Sequence, residues 1–148
     1  MFKNEFTIGN MAEAGGVKVQ TIRYYEQIGL IPSARRTVGN HRIYTRDHMD
    51  LLKFVRHSRA LGFSLDQIRE LLALRESPGG NCAEIDEIAR KHLLDVESKI
   101  SRLRELETEL KHMVGQCAGG TISSCRIIEA LSDHTHCIGD HHHAGDSV

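Results

Sequence analysis

Apolar positions along the chain fall into two regimes. Up to about residue 80 they form short helical stripes broken by glycine and proline; beyond it they form one long helical pattern. Thr7 is placed to cap a first helix over Ile8–Ala14, which Gly15-Gly16 ends. A second helix over Val19–Gln27 turns Ile22 inward and carries Lys18, Gln20, Arg23 and Tyr24 near its exposed start. Two short helices joined by a glycine turn make a helix-turn-helix pattern, which a plain helical hairpin would share.

The next stretch breaks helix repeatedly. Leu30-Ile31-Pro32 leads into Arg35–Tyr44, where Gly39-Asn40 is turn chemistry between short runs with β-branched and aromatic residues. The segment reads as a small hairpin with three arginines flanking its tip. Directly after a helix-turn-helix, such a hairpin reads as a wing gripping phosphates rather than as a merely solvated surface. Thr45 then caps a helix through Leu61, with Asp47 at its positive end. Its expected inner stripe is Met49, Leu52, Phe54, Val55 and Leu61, with Lys53, Arg56 and Arg59 outward. Gly62 stops it. Ser64-Leu65-Asp66-Gln67 is a capping box opening a helix with Leu65, Ile68, Leu71, Leu72 and Leu74 inside. Pro78-Gly79-Gly80 marks the end of this module.

The long helix spans about Ala83–Val114. Leu93, Val96, Ile100, Leu103, Leu106, Leu110 and Met113 follow at spacings of 3, 4, 3, 3, 4 and 3, a coiled-coil seam with one skipped position near Leu106. At ~1.5 Å per residue this helix is roughly 48 Å long, too long for the small N-terminal module to cover. No second long apolar helix exists to receive it, so the seam predicts a homodimer, parallel or antiparallel. What remains is a cysteine-bearing loop, a short apolar helix over Arg126–Leu131 and a histidine-rich tail.

Charge sharpens this division. Of 148 residues, the first 80 carry twelve Lys and Arg against eight Asp and Glu, a net +4; the rest carry seven against twelve, a net −5. A basic module for a polyanion is joined to an acidic one with another task. No apolar run reaches the ~20 residues of a membrane span, and Met1–Asn10 lacks the apolar core of a secretory signal, so a cytoplasmic protein is expected. In that reducing compartment Cys82, Cys117, Cys125 and Cys137 read as metal or redox groups rather than as disulfides.

The chain resembles the MerR family of metal-responsive transcription regulators from Phe6 to about Leu131. The resemblance rests on Thr21-Ile22-Arg23-Tyr24-Tyr25-Glu26, Gly29-Leu30-Ile31-Pro32, Gly39-Asn40-His41-Arg42-Ile43-Tyr44-Thr45 and Leu61-Gly62-Phe63-Ser64-Leu65-Asp66-Gln67-Ile68, in this order. It implies a mainly α fold: a winged helix-turn-helix DNA-binding domain (1–78), a coiled-coil dimerisation helix (79–114) and a metal-binding loop with a short helix (115–132); by composition, a flexible His-rich tail (133–148) follows. It further implies an antiparallel homodimer on double-stranded promoter DNA with an overlong spacer. Effector binding bends and untwists that DNA, so RNA polymerase is engaged indirectly, through DNA shape. By position, Lys18, Gln20, Arg23 and Tyr24 meet the major groove and its phosphates, Arg36 and Arg42 grip the backbone, and Arg56 and Arg59 assist. His41 departs from the family, whose wing usually carries Tyr or Phe there.

An antiparallel dimer also solves a problem the cysteines pose. Cys82 lies a whole helix length from Cys117 and Cys125 of its own chain, but beside the loop of the partner chain. Three such thiolates suit a soft or borderline divalent ion, Cd(II), Pb(II), Zn(II) or Hg(II), and suit Mg(II) or Ca(II) badly. Relatives that sense Cu(I) typically have Ser at the position of Cys82. The zinc branch often has two adjacent loop cysteines and a loop histidine, whereas here Ala118 follows Cys117. The cadmium/lead type fits better, and Zn(II) remains open with His112 or solvent as fourth ligand. The tail residues His134, His136, Cys137, His141, His142 and His143 are metal-prone by composition, either a second, weaker site or incidental affinity. A thiol-redox or Cu(I)-type sensor on the same scaffold is the alternative function. An enzyme is not expected, because no paired carboxylates, nucleophile–base pair or phosphate-cradling glycine loop is present. The segment after Val114 is too short for a drug-binding domain.

Overall fold

A computed structural model of the chain describes residues 4–116 and 119–133. The elements run β1 (Glu5–Phe6), α1 (Ile8–Gly15), α2 (Val19–Gln27), β2 (Arg35–Arg36), β3 (Arg42–Thr45), α3 (Arg46–Ala60), α4 (Leu65–Arg75), α5 (Cys82–Gly115), a 3-10 turn (Ile122–Ser124) and α6 (Arg126–Ser132). The chain divides into two units, Met1–His92 and Leu93–Val148.

In the first unit the helix ends follow local chemistry. Thr7 Oγ1 accepts from the Asn10 N–H at 3.1 Å and starts α1. Gly15 lets α1 approach α3 closely, since a Cβ there would sit 2.5 Å from Leu52 Cδ2. Gly16 then takes the left-handed φ of 65° that ends the helix. Ser64 Oγ accepts from the Gln67 N–H at 3.1 Å while Gln67 Oε1 accepts from the Ser64 N–H at 2.9 Å, the reciprocal capping of α4. At the start of α3, His48 Nδ1 accepts from the Thr45 N–H at 3.1 Å and His48 Nε2 donates to the Pro32 carbonyl at 3.1 Å. This fixes the chain entering the helix against the segment before the wing.

Around the fully buried Met11, Ile22, Ile31, Tyr44, Leu52, Val55 and Ile68, the helices and wing close one core. The sheet has three strands, not the two of the expected hairpin: β3 is central, antiparallel to β2 (Arg36 opposite Arg42) and to β1 (Phe6 opposite Tyr44). A two-residue strand carries no readable alternation, so β1 is visible only through its partner. Leu61, expected on the inner stripe of α3, is instead 69% exposed. It is the C-cap, where Gly62 at φ 85° turns the chain away from the helical register.

The second unit holds the rest of α5 and α6. Four i,i+4 ion pairs lie along α5 as a whole: Asp86–Arg90, Glu87–Lys91, Asp95–Lys99 and Glu107–Lys111. Each places the acid N-terminal to the base, the order that supports an isolated helix. The seam residues Leu93, Ile100, Leu103 and Leu110 are exposed in the single chain, between 43% and 64%. Among the described residues no helix is long and apolar enough to cross a membrane.

Candidate DNA interface and metal ligands

Ile22 and Tyr25 anchor α2 in the core and leave Lys18, Gln20, Arg23 and Tyr24 exposed on its other side. The wing tip is pinned by backbone bonds from Asn40 N–H to Thr37 O and from Thr37 N–H to His41 O, both 2.9 Å. Asn40, not Gly39, takes the left-handed conformation, with φ 63°. Its side chain also orients Arg36, whose Nη1 donates to Asn40 Oδ1 at 3.0 Å. Thr7, Ile8, Arg23, Arg36, Asn40 and Arg42 line one open groove, together with His41. Three arginines and the first residues of α1 therefore border the same depression. Guanidinium forks and helix N-terminal N–H groups are both phosphate ligands, so the groove is built for a polyanion backbone.

Arg56 and Arg59 are exposed on α3. The Arg56 guanidinium lies against the turn between α1 and α2, where a Cβ on Gly16 would come within 2.7 Å of it. Arg59 donates to the Phe63 carbonyl at 2.9 Å and shares a depression with Gln20, Thr21 and Tyr24.

Glu26 is a residue the sequence did not single out. It sits with Arg23, Gln27, Ser33 and Arg42 under the junction of α2 and the wing, beside buried Tyr44. Glu26 Oε1 and Tyr44 Oη are both buried and neither makes a well-aligned hydrogen bond, although the two side chains lie close enough to interact. Burial, then the neighbouring Glu26, pushes the Tyr44 hydroxyl up to about 12 from 10.0. The folded state thus keeps a proton that the unfolded state has lost. The stabilisation is fully present below pH 10 and is lost as pH rises through about 12. Urea midpoints measured across this range should fall with pH, and Tyr44→Phe should flatten the slope; an unchanged slope would refute the assignment.

Of the candidate metal ligands, Cys82 is the first residue of α5 and is exposed, with Asn81 Oδ1 accepting the next N–H, that of Ala83, at 3.0 Å. Cys125 is half-buried between the 3-10 turn and α6, and its carbonyl accepts from the Glu129 N–H at 3.1 Å. Both are free thiols. Cys117 and the tail residues His134, His136, Cys137, His141, His142 and His143 lie outside the described residues. Near the end of α5 the Gln116 amide donates to His112 Nε2 at 2.9 Å. Among the described residues, no three His, Cys, Asp or Glu side chains are grouped to hold a metal ion.

Residues 6–75 match the model of the MerR HTH family regulatory proteins, and residues 49–113 match a second model described as MerR, DNA binding. The chain is 40% identical over 126 residues to heavy metal-dependent transcription regulator 2 of Rhizobium meliloti (strain 1021), covering 85% of this chain and 86% of that one. The chain belongs to the MerR family. Its fold resembles that of the transcription regulator PbrR691 from Ralstonia metallidurans CH34 in complex with lead(II), with a TM-score of 0.76 and 37% identity over 85% of this chain and 98% of that one. It also resembles MerR from Bacillus megaterium MB1 in complex with mercury(II), with a TM-score of 0.64 and 31% identity over 86% and 100% of the two chains. MerR proteins regulate transcription and are not enzymes, which agrees with the sequence. The groove lined by Arg23, Arg36 and Arg42 lies within the segment matched by the MerR HTH model.

Proposed function

We propose that this MerR protein is a metal-responsive transcription activator that binds promoter DNA as a homodimer and distorts it when a soft divalent ion binds its cysteines. One observation carries the reading: Cys82 begins α5, Cys117 and Cys125 follow its last residue, and the apolar seam between them is exposed in the single chain. Two antiparallel copies of α5 bury that seam and bring Cys82 of one protomer to the loop of its partner. The division into a DNA-binding domain (1–78), dimerisation helix (79–114), metal-binding loop (115–132) and tail (133–148) follows from the same arrangement.

Cys82, Cys117 and Cys125 would hold the ion, and free thiols at exposed and half-buried positions fit a soft metal. When bound, the metal supplies a cross-link between protomers. Three thiolates leave a divalent ion at −1 but Cu(I) at −2, which favours Cd(II), Pb(II) or Zn(II), with Hg(II) also admitted by charge. Relatives solved with lead(II) and mercury(II) support a metal effector. Lys18, Gln20, Arg23 and Tyr24 read the major groove and its phosphates, Arg36 and Arg42 clasp the backbone, and Arg56 and Arg59 assist. His134, His136, Cys137 and His141–His143 form a candidate second site of lower affinity. RNA polymerase is met through the reshaped DNA, and the regulated genes would serve metal efflux or sequestration.

Transcription from an operator-bearing promoter, measured across Cd(II), Pb(II), Zn(II), Hg(II), Cu(I) and peroxide, tests this. Activation of about ten-fold or more by divalent soft ions is expected, within the usual range of allosteric coupling. Activation by Cu(I) alone, or by peroxide without metal, would replace this reading with the copper or redox alternative.

A further inference from the structure

The turn between α3 and α4 is held tightly. Leu61 N–H bonds to His57 O at 3.1 Å, Gly62 N–H to Arg59 O at 2.9 Å and Phe63 N–H to Ser58 O at 3.1 Å, and the Arg59 guanidinium takes the Phe63 carbonyl. The Leu61 carbonyl is among those a helix end leaves without an intrahelical partner. His92 of α5 reaches it, with Nε2 donating at 2.8 Å. The imidazole also lies over the Phe63 ring, centroids 4.3 Å apart and planes 33° from parallel. Gly62 makes room for it: a Cβ there would stand 3.3 Å from His92 Nε2. Among the described residues of α5, His92 alone is buried.

We infer that His92 is a positioning residue that locks the Cys82 end of α5 to the DNA-binding lobe, so that metal occupancy at Cys82 is felt at the operator. The inference rests on the proposed metal-dependent function. Ten residues of helix separate Cys82 from His92, about 15 Å of stiff backbone, so a displacement at one is transmitted to the other. From His92 it passes to the Leu61–Phe63 turn and into α3. That helix touches the α1–α2 turn through Leu52 at Gly15 and Arg56 at Gly16. Coupling of this kind requires an element that both sites bias, and the turn held by His92 supplies a physical link between them.

The test separates hydrogen bond from ring. His92→Phe keeps a ring over Phe63 without the donor, while His92→Gln keeps a donor near the Nε2 position. In metal-free, full-length protein, amide exchange over Cys82–His92 should quicken about ten-fold in His92→Phe and return towards wild type in His92→Gln. Metal-free operator affinity and metal affinity should stay within about two-fold in both, whereas metal-induced activation should drop about ten-fold in His92→Phe and recover in His92→Gln. A purely structural role would instead lower operator affinity and activation together, without rescue by Gln. Wild-type exchange, or wild-type induction, in His92→Phe would overturn the inference. If wild type responds to no metal, the regulatory reading falls by itself, and the exchange rates still decide whether His92 locks the helix.

Discussion

Replacing Cys82 by serine should abolish activation by Cd(II) or Pb(II) while leaving metal-free operator affinity close to wild type. The reason is ligand count and charge together. A serine hydroxyl does not ionise near neutral pH, so the substitution removes both a soft donor and one negative charge from the proposed three-thiolate centre. Loss of an outer-shell partner alone typically costs 10–100-fold in metal affinity, so loss of a ligand itself should cost about 100-fold or more. The same one-unit shift in charge favours a monovalent ion. Cu(I) with three thiolates carries −2 in a partly dehydrated site, and each uncompensated charge there costs on the order of several kcal/mol. With two thiolates it carries −1, the balance the divalent ion had before, so any gain of Cu(I) response in the variant would have the same origin. Operator binding is spared because Cys82 opens α5 and does not line the groove of Arg23, Arg36 and Arg42. Promoter activation against metal concentration for wild type and Cys82→Ser is the measurement. Full divalent sensitivity in the variant would make Cys82 a packing residue and move the sensor to the loop or the tail.

Removing both Arg23 and Arg42 should weaken operator binding about 100-fold, with and without metal, each arginine contact being worth about 1–3 kcal/mol. Both side chains belong to the two adjoining depressions between α2 and the wing, so one duplex backbone could engage them together. The salt dependence provides the more specific signature. Every phosphate neutralised releases condensed counterions, and the slope of log K against log salt changes by about 0.9 per contact. Arg23→Ala/Arg42→Ala should therefore flatten the slope by about 0.9–1.8, according to how many of the two meet phosphates. Arg104→Ala, on the exposed surface of α5, should leave it unchanged. Because Arg42 also lies near Tyr44, the thermal midpoint of the variant should be read alongside. An unchanged affinity and slope in a folded variant would remove the groove as the DNA interface.

The elements legible in the sequence are those whose ends are set within a few residues. Thr7 and Gly15-Gly16 bound α1, and the Ser64–Gln67 exchange opens α4, because each cap is made with a backbone group three or four residues away. The long helix was legible for a related reason: its seam repeats every three or four residues, and its ion pairs are all i,i+4. The candidate arginines could be named because the turn signals around Pro32 and Gly39 separate the helix pair from the wing. Their convergence could not, since a single groove requires α1, α2 and the wing to meet. The same holds for β1, which exists only by pairing Phe6 with Tyr44, and for Glu26, whose neighbour Tyr44 comes from β3. Leu61 illustrates the converse: its place in the apolar repeat pointed inward, yet a helix cap with Gly62 at positive φ left it exposed. His92 carries no signal in the sequence, for one histidine on an amphipathic helix has no distinguishing period. What sequence determined here is what short-range hydrogen bonds and helical periodicity encode. Tertiary structure alone decided which distant side chains share a groove, a buried junction or the carbonyl of Leu61, because such contacts depend on where the chain returns in space.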